Sequence, residues 1–499
     1  MKKITLVYLC FMLAASILSG SQIFNFNADW RFIKADVPGA EAAEFDDADW
    51  ETVSAPHTYN DVDTFDDFSP PAHAGEMEQW GGKTWYRKSF YVPREWTNKR
   101  VMIEFEAVRQ VGIIYINGVE VGGAENGFLP FGADLSEHLK FGAMNVVALS
   151  CDNEFVKDTD GNRKEVWHNY FGGAKFPWNN PHWHPAHGGI YRNVFLHVTE
   201  KLHLTEPLYN NLGTVGTYAY AIDPSRESTG VGVEVEVSNA NAESQEFRLV
   251  SRLLDREGDT VLVLSDAQQL GAGETAIFEN QGTLEQPQLW EPKHPYIYTL
   301  VTEILQDGVQ VDRNEIPFAV RWIEMNTKTG FFINDRHVKL EGWGVKSVDG
   351  WPGLGAANPD WMHHYTLEMI AEAGGNFVRW GHTAGSPAQL RAADRLGIIT
   401  MQPGVDGEGD NDGHAWDIRA QAWRDTVIYY RNSPSLLFWE GGNQSLREEH
   451  TRQMKEIVET YDPHGGRLYG HRRANNVVKP FCDITISTEG SGFIAALPT

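Results

Sequence analysis

From residue 330 onward the chain alternates short apolar runs with amphipathic segments, and no other feature narrows its fold as far. GFFINDRHVKLEGWGV (330–345) leads to a helix expected with Asn358 as its N-cap, Pro359 at its first position and Gly374 past its end. Met362, Tyr365, Met369, Ile370 and Ala373 keep helical spacing between those signals. A strand at 376–380 follows, then a helix opened by Ser386-Pro387 and closed by Gly397. Strand 398–402, helix 415–430, strand 435–439 and helix 446–461 continue the series into strands at 467–470 and 483–487. Strands joined through helices pair in parallel, because the crossover returns each one in the same direction.

Within that series, SLLFWEGGNQS (435–445) is an apolar run that breaks into glycines and ends in two amides, Asn443 and Gln444. A buried parallel strand has this form where its carboxyl end opens onto a polar pocket.

Upstream the period is different. Residues 22–200 hold short alternating runs (84–92, 100–106, 112–116), punctuated by the hairpin signal Asn117-Gly118 and free of a helical period. A β-sandwich or jelly roll is expected. Residues 201–325 give a second set of short strands without Cys, consistent with an immunoglobulin-like sandwich. At 499 residues the chain has room for several such domains.

The first 21 residues read as a secretory signal. Lys2 and Lys3 precede an apolar run from Ile4 to Leu18, and Ser19-Gly20-Ser21 supplies small residues for cleavage. The run is shorter than the ~20 residues a spanning helix needs. Only Cys151 and Cys482 would remain, too few for a disulfide framework. A secreted or periplasmic protein without a membrane span is expected. The net charge of −26 disfavours nucleic acid and anionic membrane surfaces as partners.

Several phrases resemble glycoside hydrolase family 2, the β-galactosidase, β-glucuronidase and β-mannosidase group. They are Pro56-His57, TWYRKSF (84–90), IIYINGVEVGG (113–123), GFLPFGADLS (127–136), HGGIYRNVFL (187–196), LWEPKHPYIYTL (289–300), FAVRWIE (318–324), FVRWGH (377–382) and the strand tip at 435–445. The resemblance implies a multidomain chain: a jelly-roll sugar-binding domain at 22–200, an immunoglobulin-like β-sandwich at 201–325 and a (β/α)8 TIM barrel from 326. A whole barrel needs eight strands and typically ~250 residues. Residues 326–499 supply six strands, so an incomplete barrel is expected, ending before the strand that bears the family's nucleophile. Glu489 follows Gln444 by 45 residues, without the intervening helix and strand that position would require.

The implied chemistry is hydrolysis of terminal β-glycosidic bonds of oligosaccharides, with carbohydrate as partner and no cofactor. Where the family has an Asn-Glu pair, this chain has Asn443-Gln444, so the acid/base position holds an amide that cannot exchange a proton. A non-catalytic carbohydrate-binding protein is the alternative. The resemblance implies that Arg379 steadies the nucleophile, that His382 reaches a sugar hydroxyl and that Asn443 bonds the hydroxyl next to the reacting carbon. Arg379 also reads as an interior ion-pair residue, and Trp439 equally as core or as a sugar platform. Glu440 is a possible substitute acid, which four residues of strand would set ~13 Å below Gln444 unless Gly441-Gly442 makes a bulge; it reads otherwise as a buried partner for a cation such as Arg379. Asp406 and Glu408, after the third strand, stand at the catalytic face, or in a solvated loop or weak calcium site spanning 406–412.

Two metal-like patterns are weak. Asp158, Asp160 and Asn162 space like a calcium loop, but Arg163 stands where that loop needs Gly. His182, His184 and His187 have ligand-like spacing within an aromatic-rich loop that suits sugar contact instead. No metal site is expected.

Overall fold

The computed structural model describes residues 20–61, 80–153, 155–157, 163–165, 187–346, 351, 353–405, 410, 412–443, 446–472, 474–487 and 493–496. Residues 1–19 of the expected signal segment, Asp406, Glu408, Gln444, Glu489, His182, His184 and the first positions of the calcium-like run lie outside them.

The first unit is a pair of antiparallel sheets. One has six strands, in the order 51–53, 30–33, 83–92, 143–152, 111–116, 119–124. The other has four, in the order 22–25, 194–199, 100–105, 131–134. Trp30, Tyr86, Ile114 and Leu149 from the first meet Ile103, Phe105, Val194 and Leu196 from the second in one core. Each such apolar side chain contributes about 1.5–3 kcal/mol by leaving water. Asn117 (φ 51°) and Gly118 (φ 86°) join strands 111–116 and 119–124 in a two-residue turn with both φ positive, the geometry for which that dipeptide is favoured.

The second unit also pairs two four-stranded sheets, around Val231, Val233, Val235, Val237, Leu249, Leu253, Leu300 and Ile304. Along strand 228–239 the valines recur every second residue, which places them on one face.

The third unit is a seven-stranded sheet whose strands follow chain order: β1 (Gly342–Val345), β2 (Phe377–Trp380), β3 (Ile399–Pro403), β4 (Leu436–Gly442), β5 (Leu468–Arg472), β6 (Ile484–Ser487) and β7 (Phe493–Ala496). The first six pair in parallel and β7 turns back antiparallel to β6, an addition to the six strands expected. Helices α1 (Asp360–Glu372), α2 (Pro387–Leu396), α3 (His414–Tyr430) and α4 (Glu448–Tyr461) make the crossovers.

The expected signals act locally on two of these helices. Ser386 and Gln389 form a reciprocal capping box on α2, and Gly397 (φ 71°) closes it in the left-handed conformation. α1 begins one residue later than expected. Pro359 is extended (φ −68°, ψ 156°) and occupies the N-cap, so Asn358 lies outside the helix.

Side chains alternate across the sheet. Val378, Trp380 and Trp439 face the helices, sharing a core with Trp416 and Trp423 of α3 and with Ala107, Phe128, Leu129 and Tyr191 of the first unit. Phe377, Met401 and Phe438 face the other way and pack with Phe331. No helix among the described residues is long and apolar enough to cross a membrane, and none of their His, Cys, Asp and Glu side chains cluster in threes that could hold a metal.

Candidate functional site

The apolar inner face becomes charged at the carboxyl ends of the strands. Arg379 stands two residues above Phe377 on β2, and Glu440 two above Phe438 on β4, so both share that face. Arg379 spans the intervening β3 to make a fork–fork pair, Nε to Glu440 Oε2 at 2.8 Å and Nη2 to Oε1. The same Nη2 donates to Asn443 Oδ1 at 3.0 Å and lies 3.3 Å from His382 Nδ1. Arg379 is 7% exposed and Glu440 1%; His382 and Asn443 are also buried.

The segment bearing Asn443 is shaped by a bulge. The register between β4 and β5 shifts between Glu440 and Gly442. A bulge breaks strict alternation, so residues beyond Gly441 do not share a face with Glu440 by parity alone. Gly441 is required there, because a Cβ would collide with Tyr469 Oη and His471 Nε2. Those two atoms are themselves 2.7 Å apart.

β5 adds a residue that sequence reasoning missed. Arg472 donates from Nη1 to Asn443 Oδ1 at 2.9 Å, so two guanidiniums meet on one amide oxygen. The expected strand stopped at 470, where its apolar character gives way, and Arg472 fell beyond it. The signal that could have found it is the tip of β4, where polar residues continue a strand on reaching the sheet's carboxyl edge.

Glu440 therefore sits as the buried partner of Arg379. Both carboxylate oxygens accept hydrogen bonds from the Arg379 guanidinium, which engages the carboxylate away from any ligand. Of the two readings of Trp439, its surroundings match the core. It is fully buried on the helix-facing side, donates Nε1–H to Asp462 Oδ2 at 2.8 Å and packs edge-on against Trp423. Neither ring face is left for a sugar. Gln402, on β3, is buried and accepts from the Gly385 amide at 3.2 Å. His187 is also buried, and burial beside Arg109 pushes its imidazole down to about 3, which holds it neutral.

The arrangement is a buried, hydrogen-bonded cluster of one carboxylate, two arginines, an amide and an imidazole, at the edge where parallel α/β sheets place their ligands. Asn443 Oδ1 is committed to the arginines, which fixes the orientation of the amide.

Comparison with known proteins bears on this site. The family model for the sugar-binding domain of glycosyl hydrolases family 2 matches residues 23–200, and the model for glycosyl hydrolases family 2 matches 218–321. A β-glucuronidase of Formosa agariphila is 45% identical over 471 residues, covering 94% of this chain and 47% of that protein. The β-galactosidase BoGH2A of Bacteroides ovatus is 30% identical over 443 residues, 87% of this chain and 48% of its own length. Among solved structures, a β-glucuronidase from glycoside hydrolase family 2 superimposes with a TM-score of 0.89 at 44% identity, over 94% of this chain and 48% of that one. The chain thus spans about half the length of the relatives it matches.

Proposed function

Since the chain belongs to glycosyl hydrolase family 2, we propose that it serves the hydrolysis of terminal β-glycosidic bonds in oligosaccharides, with a β-glucuronide as substrate. The observation that carries this reading is the convergence of Arg379, Glu440, His382, Asn443 and Arg472 at the strand tips. The name of the 45% identical relative supports the choice of glucuronide.

In this reading the seven-stranded sheet is part of a (β/α)8 barrel. Support comes from β1, whose Trp343 is exposed at the sheet edge, and from α1, whose Trp361, Tyr365 and Met369 form an exposed apolar stripe with Trp361 at 66%. Apolar surface of this kind ordinarily meets a neighbouring strand and helix. The first two units are read as the jelly-roll and immunoglobulin-like domains, and the basic, apolar and small-residue series at 1–21 as a secretion signal leading to the periplasm or beyond.

Asn443 Nδ2 donates to the hydroxyl beside the anomeric carbon, and His382 reaches a second hydroxyl. Arg379, held by Glu440, orients Asn443 and His382 toward the reacting centre. Gln444 occupies the acid/base position and carries no proton to give, so a leaving group must depart unaided or take its proton from water. General acid help contributes ~10²–10⁴-fold, and the best leaving groups need little of it. Retaining cleavage uses two carboxyl groups ~5–5.5 Å apart. Glu440 is engaged by Arg379, and the reading assigns no nucleophile among the described residues.

The test is calorimetric titration with a glucuronate-terminated oligosaccharide, paired with hydrolysis of aryl β-glucuronides of graded leaving-group pKa. Binding weakened about tenfold by Asn443→Ala supports the reading, that being the scale of one hydrogen bond to a polar ligand. No binding by the unaltered chain overturns it. Gln444 favours a second reading, a carbohydrate-binding protein without turnover. Binding without hydrolysis, unchanged in Gln444→Glu, selects that alternative.

A further inference from the structure

At the end of the sheet opposite Glu440, a cavity of about 210 Å³ lies between the second β-sandwich and the loops that lead into β4 and β5. Its walls carry Arg321, Arg431 and Arg467, with Tyr220 and His464 stacked at 4.1 Å beside them. Arg467 is neutralised, because its Nη1 holds both oxygens of Asp462 at 2.8 and 2.9 Å.

The other two guanidiniums have only uncharged acceptors. Arg321 donates to the carbonyls of Pro434 at 2.6 Å and Leu436 at 2.9 Å. Arg431 donates to those of Tyr461 and Val215, each at 2.8 Å, and its buried Nε has no acceptor. Asp462, Glu234 and Glu236 act on Arg431 only through space, as Asp462 and Asp394 do on Arg321. Asp394 is itself bonded to Ser433 Oγ and the Ser435 amide. Carbonyls satisfy N–H groups without cancelling charge, so among the described residues two cations share this junction with no carboxylate bonded to either. Burial, with Arg467 close by, pushes the Arg321 guanidinium down to about 9, and burial also lowers that of Arg431. A bound anion would relieve both.

We propose that this cavity is a binding site for a small oxyanion, held by Arg321 and Arg431 at the junction of the second sandwich with the base of β4. Arg321 Nη1 and Arg431 Nε are the guanidinium nitrogens not used by those carbonyls, and charge-assisted N–H donors of this kind suit the oxygens of sulfate, phosphate or a sugar carboxylate. His464 is exposed at the rim, which leaves a way in from solvent. The acceptors of Arg321 belong to the run into β4, whose far end carries Glu440 and Asn443, so an anion here braces the strand that bears the candidate site.

The experiment is calorimetric titration of the whole chain with sodium sulfate, sodium phosphate and sodium glucuronate, at ionic strength held constant with sodium chloride. One saturable site is expected, weakened about tenfold in Arg321→Gln, the scale of one charge-assisted hydrogen bond. His464→Glu, at an exposed position that leaves the fold intact, sets a carboxylate at the rim and abolishes binding. Asn443→Ala leaves the sulfate and phosphate titrations unchanged and weakens glucuronate held at the strand tips, so the ligands are compared in that variant. There, tighter binding of the inorganic ions identifies a free oxyanion as the ligand, and tighter binding of glucuronate an acidic monosaccharide. No saturable binding of any of the three to Asn443→Ala, or binding to it that survives both Arg321→Gln and His464→Glu, overturns the proposal.

Discussion

Replacing Glu440 by Gln tests whether the strand tips are held by a buried ion pair. The two side chains lie 1% and 9% exposed, and Arg379 Nε and Nη2 both end on the Glu440 carboxylate. Gln keeps one acceptor but turns an NH2 group toward the guanidinium, so a donor faces a donor. Arg379 then retains its charge with Asn443 Oδ1 and the His382 ring as its remaining neighbours from the cluster. Removing one partner of such a pair costs about 3–5 kcal/mol. At 1.36 kcal/mol per tenfold that multiplies local opening by ~10²–10⁴, a large share of the ~5–15 kcal/mol that holds a domain folded. Hydrogen exchange of β2 and β4 amides reads this opening without assuming that three cores unfold together. The double variant Arg379→Met/Glu440→Leu should recover most of the loss, since it buries no unpaired charge. Exchange within ~0.5 kcal/mol of the parent in Glu440→Gln, or a double variant as unstable as the two single losses added, refutes the reasoning.

Three further outcomes follow from local geometry. Gly441→Ala should destabilise β4 and β5 by about 1–3 kcal/mol, because overpacking there displaces Tyr469 and His471; thermal unfolding measures it, and an unchanged Tm counts against the bulge as drawn. Trp439→Phe should lower stability by about 1 kcal/mol through the lost bond to Asp462, while sugar affinity stays at the parent value; weakened sugar binding would return Trp439 to the site. Asp425 is buried, and burial, partly offset by Arg424, pushes its carboxyl up to about 7. Its folded pKa lies above its unfolded one, so its stability contribution is complete below about 4 and lost as pH rises through 7. Asp425→Asn should flatten the fall in Tm between pH 4 and 8, and an identical slope in the variant would remove Asp425 as the cause.

The legible parts of this chain were those whose cause is local. Ser386, Gln389 and Gly397 bound α2 because caps act within a few residues, and Asn117-Gly118 closes a hairpin because both positions accept positive φ. Asn358 was misplaced by one position for the same kind of reason. Asn and the following Pro compete for the cap, and Pro359 took it in an extended conformation. Arg379 and Asn443 were legible as chemistry through family phrases, whereas Trp439 was not resolved from core packing until its face of β4 was known.

Periodicity and turn chemistry in the sequence were enough to specify two β-rich units followed by a parallel sheet with helical crossovers, because those signals are carried by neighbouring residues. Which side chains meet was a tertiary matter. Arg379, Glu440 and Arg472 come from β2, β4 and β5 and Asn443 from the residue just after β4, and their convergence depends on strand register and on one bulge at Gly441. A one-residue shift in either would point them to opposite faces, and no local pattern records that choice.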